Sequence, residues 1–127
     1  MRCLLDTHTL LWYFHKSHKL PDSILATIEC VDIQKFVSVA SLWEFAIKHS
    51  MEKLRFEGGI SAFWKMVTAN EFGVLQINEL YLIEFSNLPF LHRDPFDRLL
   101  VATAMVEDMT ILTADESICQ YDVKCEW

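Results

Sequence analysis

A chain of 127 residues with 52% hydrophobic side chains has the size of one domain, spanning residues 1–127, and is too apolar to be disordered. No uninterrupted apolar run is long enough to cross a membrane. A formal charge of -7 weighs against non-specific nucleic-acid binding through a broad basic face, but it is compatible with a small metal-bridged phosphate site or a basic partner.

The first element is a short apolar strand, Arg2 to Leu5, ending at Asp6, with a helical pattern from Thr7 through Phe14. Asp6, Thr7 and His8 interrupt what would otherwise read as an export signal, and no small-residue cleavage site follows, so a cytoplasmic protein is expected. Pro21 and Asp22 restart the chain into a helix with Ile24, Leu25 and Ile28 on one face. Phe36 to Val39 is the next strand, and Ser41-Leu42-Trp43-Glu44 opens a helix running to Met51. Lys53 to Gly59 is a loop broken by Gly58 and Gly59, and Ile60 to Ala69 is helical. Phe72 to Ile77 gives a third strand, followed by a helix with Tyr81, Leu82 and Phe85.

The stretch from His92 to Asp115 organises the remainder. Asp94-Pro95 starts a helix with an apolar stripe at Leu99, Leu100, Ala102 and Met105, and Thr110 to Thr113 is a strand leading to Asp115. A short helix or turn reaches Tyr121, and Val123 to Trp127 is a last edge strand. Strands alternating with helices argue an α/β layer with a mainly parallel sheet. Cys3, Cys30, Cys119 and Cys125 match neither zinc nor redox spacing, so reduced, mostly buried thiols are expected.

In parallel sheets, ligands collect beyond the carboxyl ends of strands. Asp6 and Asp115 follow strands, while Glu44 and Asp97 fall in the first turns of helices, so all four acids can share one edge. Clustered carboxylates repel, and a divalent cation among them relieves the repulsion and can activate water against a phosphodiester. Each acid also fits a local role: Asp6, Asp94 and Asp115 as helix caps, and Ser41-x-x-Glu44 as a capping box. Thr7 and Thr113 carry hydroxyls that could orient water, though Thr is common at strand ends. Arg98, and less directly Arg93, are phosphate-contact candidates, with a solvent ion pair as the alternative for Arg98. His8 is a substrate contact or a local cap, and His92 a phosphate or acid–base candidate. His15 and His18 read as surface residues, and Trp43, Phe45, Phe56, Phe63 and Trp64 as core with an exposed portion available for a groove or dimer surface.

The acids, with Thr7, His8, His92, Arg93, Arg98 and Thr113, lie in three segments, LLDTHTLLWYF, VSVASLWEFAIKHSMEKL and LPFLHRDPFDRLLVATAMVEDMTILTAD, whose order and spacing resemble the PIN-domain family, specifically the VapC toxin subunits of bacterial and archaeal toxin–antitoxin pairs. The resemblance implies a three-layer α/β/α fold around a mainly parallel sheet. It also implies a Mg²⁺-dependent endoribonuclease, with Mn²⁺ as the alternative ion and one or two ions bound by Asp6, Glu44, Asp97 and Asp115. Asp94 is then an accessory acid. The implied partners are RNA, a second copy in a homodimer, and a small cognate antitoxin through which alone operator DNA is reached. A haloacid-dehalogenase-like phosphatase would need an acid two residues after Asp6, where His8 stands, and a response-regulator receiver would need an early acid pair and a late lysine. A catalytically silent binding module of the same fold is the other reading, because fold does not establish turnover.

Overall fold

Strand residues alternate between opposite faces, and this alternation sorts the apolar side chains into two cores. The computed structural model describes residues 1–127. In β1 (Arg2–Leu5), Cys3 and Leu5 enter one core and Leu4 the other. Val37 and Phe36 divide in the same way in β2 (Gln34–Ser38), as do Leu112 and Ile111 in β4 (Thr110–Leu112). A strand covered on both faces has no polar side to show, which is why Cys3 to Leu5 of β1 form an unbroken apolar run.

The first core is roofed by α1 (Thr7–Phe14), α2 (Asp22–Glu29), α3 (Val39–Ser50) and α4 (Gly59–Ala69). The second lies under α6 (Pro95–Glu107) and α7 (Glu116–Cys119), flanked by Phe85 of α5 (Glu79–Asn87). With β3 (Gly73–Leu75) and β5 (Lys124–Glu126), the sheet has the order β3-β2-β1-β4-β5 and every pairing is parallel. The expected three-layer α/β/α fold is therefore present, with a wholly parallel sheet.

The chain steps outward from β1 through β2 to β3, then returns through α5 and α6 to β4 on the other side of β1. Connections on opposite faces diverge at the carboxyl ends of β1 and β4, and that divergence opens a crevice between them. No helix is long and apolar enough to cross a membrane.

Local readings hold with shifts that have physical causes. Ser38 ends β2 and also caps α3, its hydroxyl accepting from the Ala40 amide at 3.1 Å. The helix thus begins at Val39, a β-branched residue that reads as strand, and Ser41 lies inside it rather than at its cap. Glu44 consequently stands in the second turn, not the first, and the capping-box role is absent. β3 is shorter than the expected Phe72–Ile77 segment.

Not all four cysteines are the reduced thiols expected. Cys119 and Cys125 form a disulfide, with Cα atoms 5.9 Å apart, closing the turn between α7 and β5, while Cys3 and Cys30 are free. Pairing depends on the return of β5 beside β4, which spacing alone does not show.

The aromatic group divides between core and surface. Phe45 and Phe63 stack in parallel with centroids 4.1 Å apart, and Phe56 meets Phe63 edge-on at 5.1 Å. Trp43 is 60% exposed and Trp64 39% exposed. We expect Phe63→Ala to lower unfolding free energy by about 3–5 kcal/mol in urea denaturation, and Trp64→Ala, the next residue of the same helix, by about 0.5 kcal/mol or less. Equal losses would show that the stacked pair does not anchor the first core.

Candidate active site

Asp6 leaves β1 and caps α1, its Oδ1 accepting from the Thr9 amide at 2.7 Å. Its Oδ2 accepts from the Thr113 hydroxyl, and that hydroxyl accepts in turn from the Asp115 amide at 3.0 Å. The Asp6 amide donates to the Leu112 carbonyl at 3.4 Å, which also accepts from the Thr9 hydroxyl at 2.8 Å. One threonine after β4 therefore holds two of the acids.

Glu44, 6% exposed, projects from α3. Its Oε1 accepts from the Thr7 hydroxyl at 2.6 Å and its Oε2 from Lys48 Nζ at 2.7 Å. Burial works against the Lys48 ammonium, but the bond and charge of Glu44, with the fields of Asp94 and Asp97, raise its pKa above the ordinary lysine value. Asp94 caps α6, its Oδ1 accepting from the Phe96 and Asp97 amides at 2.9 and 3.1 Å, with Pro95 in the first turn. Asp115 caps α7 through the Ser117 amide at 2.9 Å. The capping roles of Asp6, Asp94 and Asp115 are real, and they coexist with convergence on one place.

That place is a pocket of about 320 Å³ lined by the acids Asp6, Glu44, Asp94, Asp97 and Asp115, together with Thr7, His8, Trp12, Lys48 and Ala114. Thr113 acts on it through Asp6 and Asp115. His92 reaches Asp97 from behind: its Nε2 is 3.3 Å from Asp97 Oδ2, and its Nδ1 is 2.8 Å from the Tyr121 hydroxyl. Arg93 is exposed and outside the lining. A larger cleft of about 520 Å³ beside Tyr13, Leu25 and Met66 includes none of the five acids.

Arg98 does not line the pocket and departs from its expected phosphate role. Its buried guanidinium donates from Nη1 to the Pro89 carbonyl and the Tyr121 hydroxyl, both at 3.0 Å, and lies over the Phe90 ring at 4.5 Å. One residue along a helix is a rotation of about 100°, so turning Asp97 to the pocket turns Arg98 inward. Lys48 and Trp12 are lining residues that the motif reading did not single out. The i, i+4 spacing from Glu44 to Lys48, and from His8 to Trp12, was the available signal.

The acids share an unfavourable field. Burial, then the charges of Asp94, Asp115, Glu44 and Asp6, push the Asp97 carboxyl up to about 8. No three His, Cys, Asp or Glu side chains are gathered closely enough to hold a metal ion. The donor chemistry nevertheless fits a hard divalent cation: five carboxylates face one pocket whose only lysine is already paired with Glu44.

Between about pH 4 and pH 8 the folded state holds a proton on Asp97 that the unfolded chain releases, so stability falls as pH rises through that window. In metal-free protein, Asp97→Asn should be more stable than the parent, with the advantage growing by roughly 2 kcal/mol from about pH 5 to about pH 8.5 in urea denaturation. A pH-independent difference would contradict the shared field.

A family model described as PIN domain matches residues 3–124. A comparison with curated proteins finds no match. Among solved structures, VapBC2 from Rickettsia felis, bound to a DNA fragment from its promoter, aligns with a TM-score of 0.77 and 16% identity, covering 100% of this chain and 99% of that one. VapBC-1 from nontypeable Haemophilus influenzae aligns with a TM-score of 0.72 and 19% identity over 99% and 97% of the two chains. FitAcB from Neisseria gonorrhoeae gives 0.68 and 15% over 97% and 95%. At these identities the structural likeness establishes the fold, and the family match over nearly the whole length settles membership: the chain belongs to the PIN domain family.

Proposed function

We propose that this chain, as a single PIN domain acting in the cytoplasm, is the toxin of a type II toxin–antitoxin pair and a metal-dependent endoribonuclease. The observation that carries the reading is the meeting of Asp6, Glu44, Asp94, Asp97 and Asp115 around one pocket at the divergence of β1 and β4. Asp6, Glu44, Asp97 and Asp115 would hold one or two Mg²⁺ or Mn²⁺ ions. When bound, such ions supply charge neutralisation, water activation and stabilisation of charge developing on a phosphodiester.

The protein's own groups prepare that site. Thr7 and Lys48 orient the two oxygens of Glu44, and Thr113 orients Asp6 and the Asp115 backbone. Asp94 starts α6 so that Asp97 reaches the pocket, and His92 approaches Asp97 Oδ2 through Nε2. The raised Asp97 carboxyl holds a proton near neutrality in metal-free protein, and that proton must leave before both oxygens can serve a cation.

The toxin assignment draws support from structural relatives whose names describe VapBC and toxin–antitoxin complexes. A small antitoxin with a basic segment suits the acid pocket, and operator DNA would be contacted through the antitoxin. Homodimer formation is supported by exposed apolar residues on α5 and just after it, including Leu80, Ile83, Phe90 and Leu91. One observation favours the second reading, a silent partner-binding module: the acids are not gathered in a ligating arrangement.

Cleavage of total cellular RNA by antitoxin-free protein, with Mg²⁺, with Mn²⁺ and with chelator, separates the two. Discrete metal-dependent cuts, abolished in the Asp6→Asn, Asp97→Asn double variant and slowed about 10- to 100-fold in Thr7→Val, are expected. Folded, metal-loaded protein that cuts no RNA yet captures an antitoxin would establish the silent module, and equal cleavage by the double variant would remove the catalytic assignment.

A further inference from the structure

Next to the acids, the pocket has a rim of different chemistry. His8 and Trp12 stand one turn apart on α1 and both line the pocket, with ring centroids 5.9 Å apart and planes inclined by 53°. Trp127 follows β5, which runs parallel to β4, so it arrives at the same sheet edge as Asp6 and Asp115. Its ring lies 5.6 Å from that of Trp12 and is 40% exposed. Lys19 Nζ stands 5.8 Å from the centre of the Trp12 ring.

Packing accounts for part of Trp12, which rests against the first core. It does not account for the exposed His8, the exposed Lys19 or the open part of Trp127. Acid ligation uses none of these four. Their chemistry is that of a single-strand nucleic-acid platform: aromatic faces, which stack on any base, beside a cation able to meet a phosphate. In a chain with 18 acidic and 11 basic residues, a lysine over the pocket-lining Trp12 supplies local attraction for a polyanion that the molecule as a whole repels.

We propose that His8, Trp12, Trp127 and Lys19 form a substrate subsite that stacks an unpaired RNA base flanking the phosphate at the acid cluster, with Lys19 taking a neighbouring phosphate. The subsite rests on the endoribonuclease reading and deepens it: it selects single-stranded or loop RNA, because a base held in a duplex cannot present a free face. Trp127 is its principal stacking surface, and Trp12 fixes the angle at which Trp127 stands.

The test is binding of oligoadenylate RNA to the full chain with Ca²⁺, followed by tryptophan fluorescence across a salt series, in parallel with the total-RNA cleavage assay. Trp127→Ala should weaken binding about tenfold and remove most of the quenching, while Trp127→Phe should stay within about threefold of the parent. Trp64→Ala, a similarly exposed tryptophan away from the pocket, should bind as the parent does. Lys19→Ala should reduce the slope of log affinity against log salt by about one. An oligonucleotide with one abasic position should bind the parent more weakly and Trp127→Ala equally.

Unchanged binding by Trp127→Ala, in protein that still cleaves RNA, overturns the subsite and leaves the nuclease reading standing. A parent protein that neither binds nor cleaves RNA overturns both. Loss in Trp127→Ala of affinity for the antitoxin alone makes the rim a protein-docking surface and likewise overturns the proposal.

Discussion

Parallel pairing of β1 with β4 is the constraint on which the rest of the molecule turns. The two strands are distant in sequence, and they meet because the connections on either side of β1 cross opposite faces of the sheet. The pairing is continued beyond the strands by side chains: the Leu112 carbonyl takes bonds from the Asp6 amide and the Thr9 hydroxyl, and Thr113 takes hold of Asp6. The start of α1 and the end of β4 are thereby one hydrogen-bonded unit. Acids placed at these two ends must face each other, whatever else the sequence does.

Like charges in that position oppose folding, and the fold answers by giving each acid a local partner. Asp6, Asp94 and Asp115 receive backbone amides at helix starts, where the helix dipole favours an anion, and Glu44 receives a hydroxyl and an ammonium. Asp97 alone of the five has no such donor beyond His92, and it is the one whose proton is retained toward neutral pH. Capping a helix and lining the pocket are thus not competing roles here. The caps keep several carboxylates ordered around one pocket.

Much of this was legible in residue order. The apolar runs, the alternation of strands and helices, and the Asp-Pro-x-Asp start of α6 each depend on near neighbours, and each was read correctly. The meeting of Asp6, Glu44, Asp97 and Asp115 is legible too, since strand ends and helix starts in a parallel sheet share an edge, while Asp94, which reads as the cap of α6, joins them in the lining. What escaped depends on rotation and long-range return. Arg98 beside Asp97 looked like a second site residue, yet a rotation of about 100° sends it into the protein. Cys119 and Cys125 meet only because β5 folds back. Trp127 acquires significance only from its nearness to Trp12, which no local pattern encodes.

Ser38 closes β2 and caps α3 without an intervening loop. The sheet and the helix carrying Glu44 are therefore geared together with no slack between them. A single residue inserted at this junction would turn Glu44 by about 100° and move it about 1.5 Å along the axis, unthreading it from Thr7. Length variation is better absorbed where α3 ends, in the exposed segment leading to Gly58. The join between Ser38 and Val39 is thus the place where the chain's length is least negotiable.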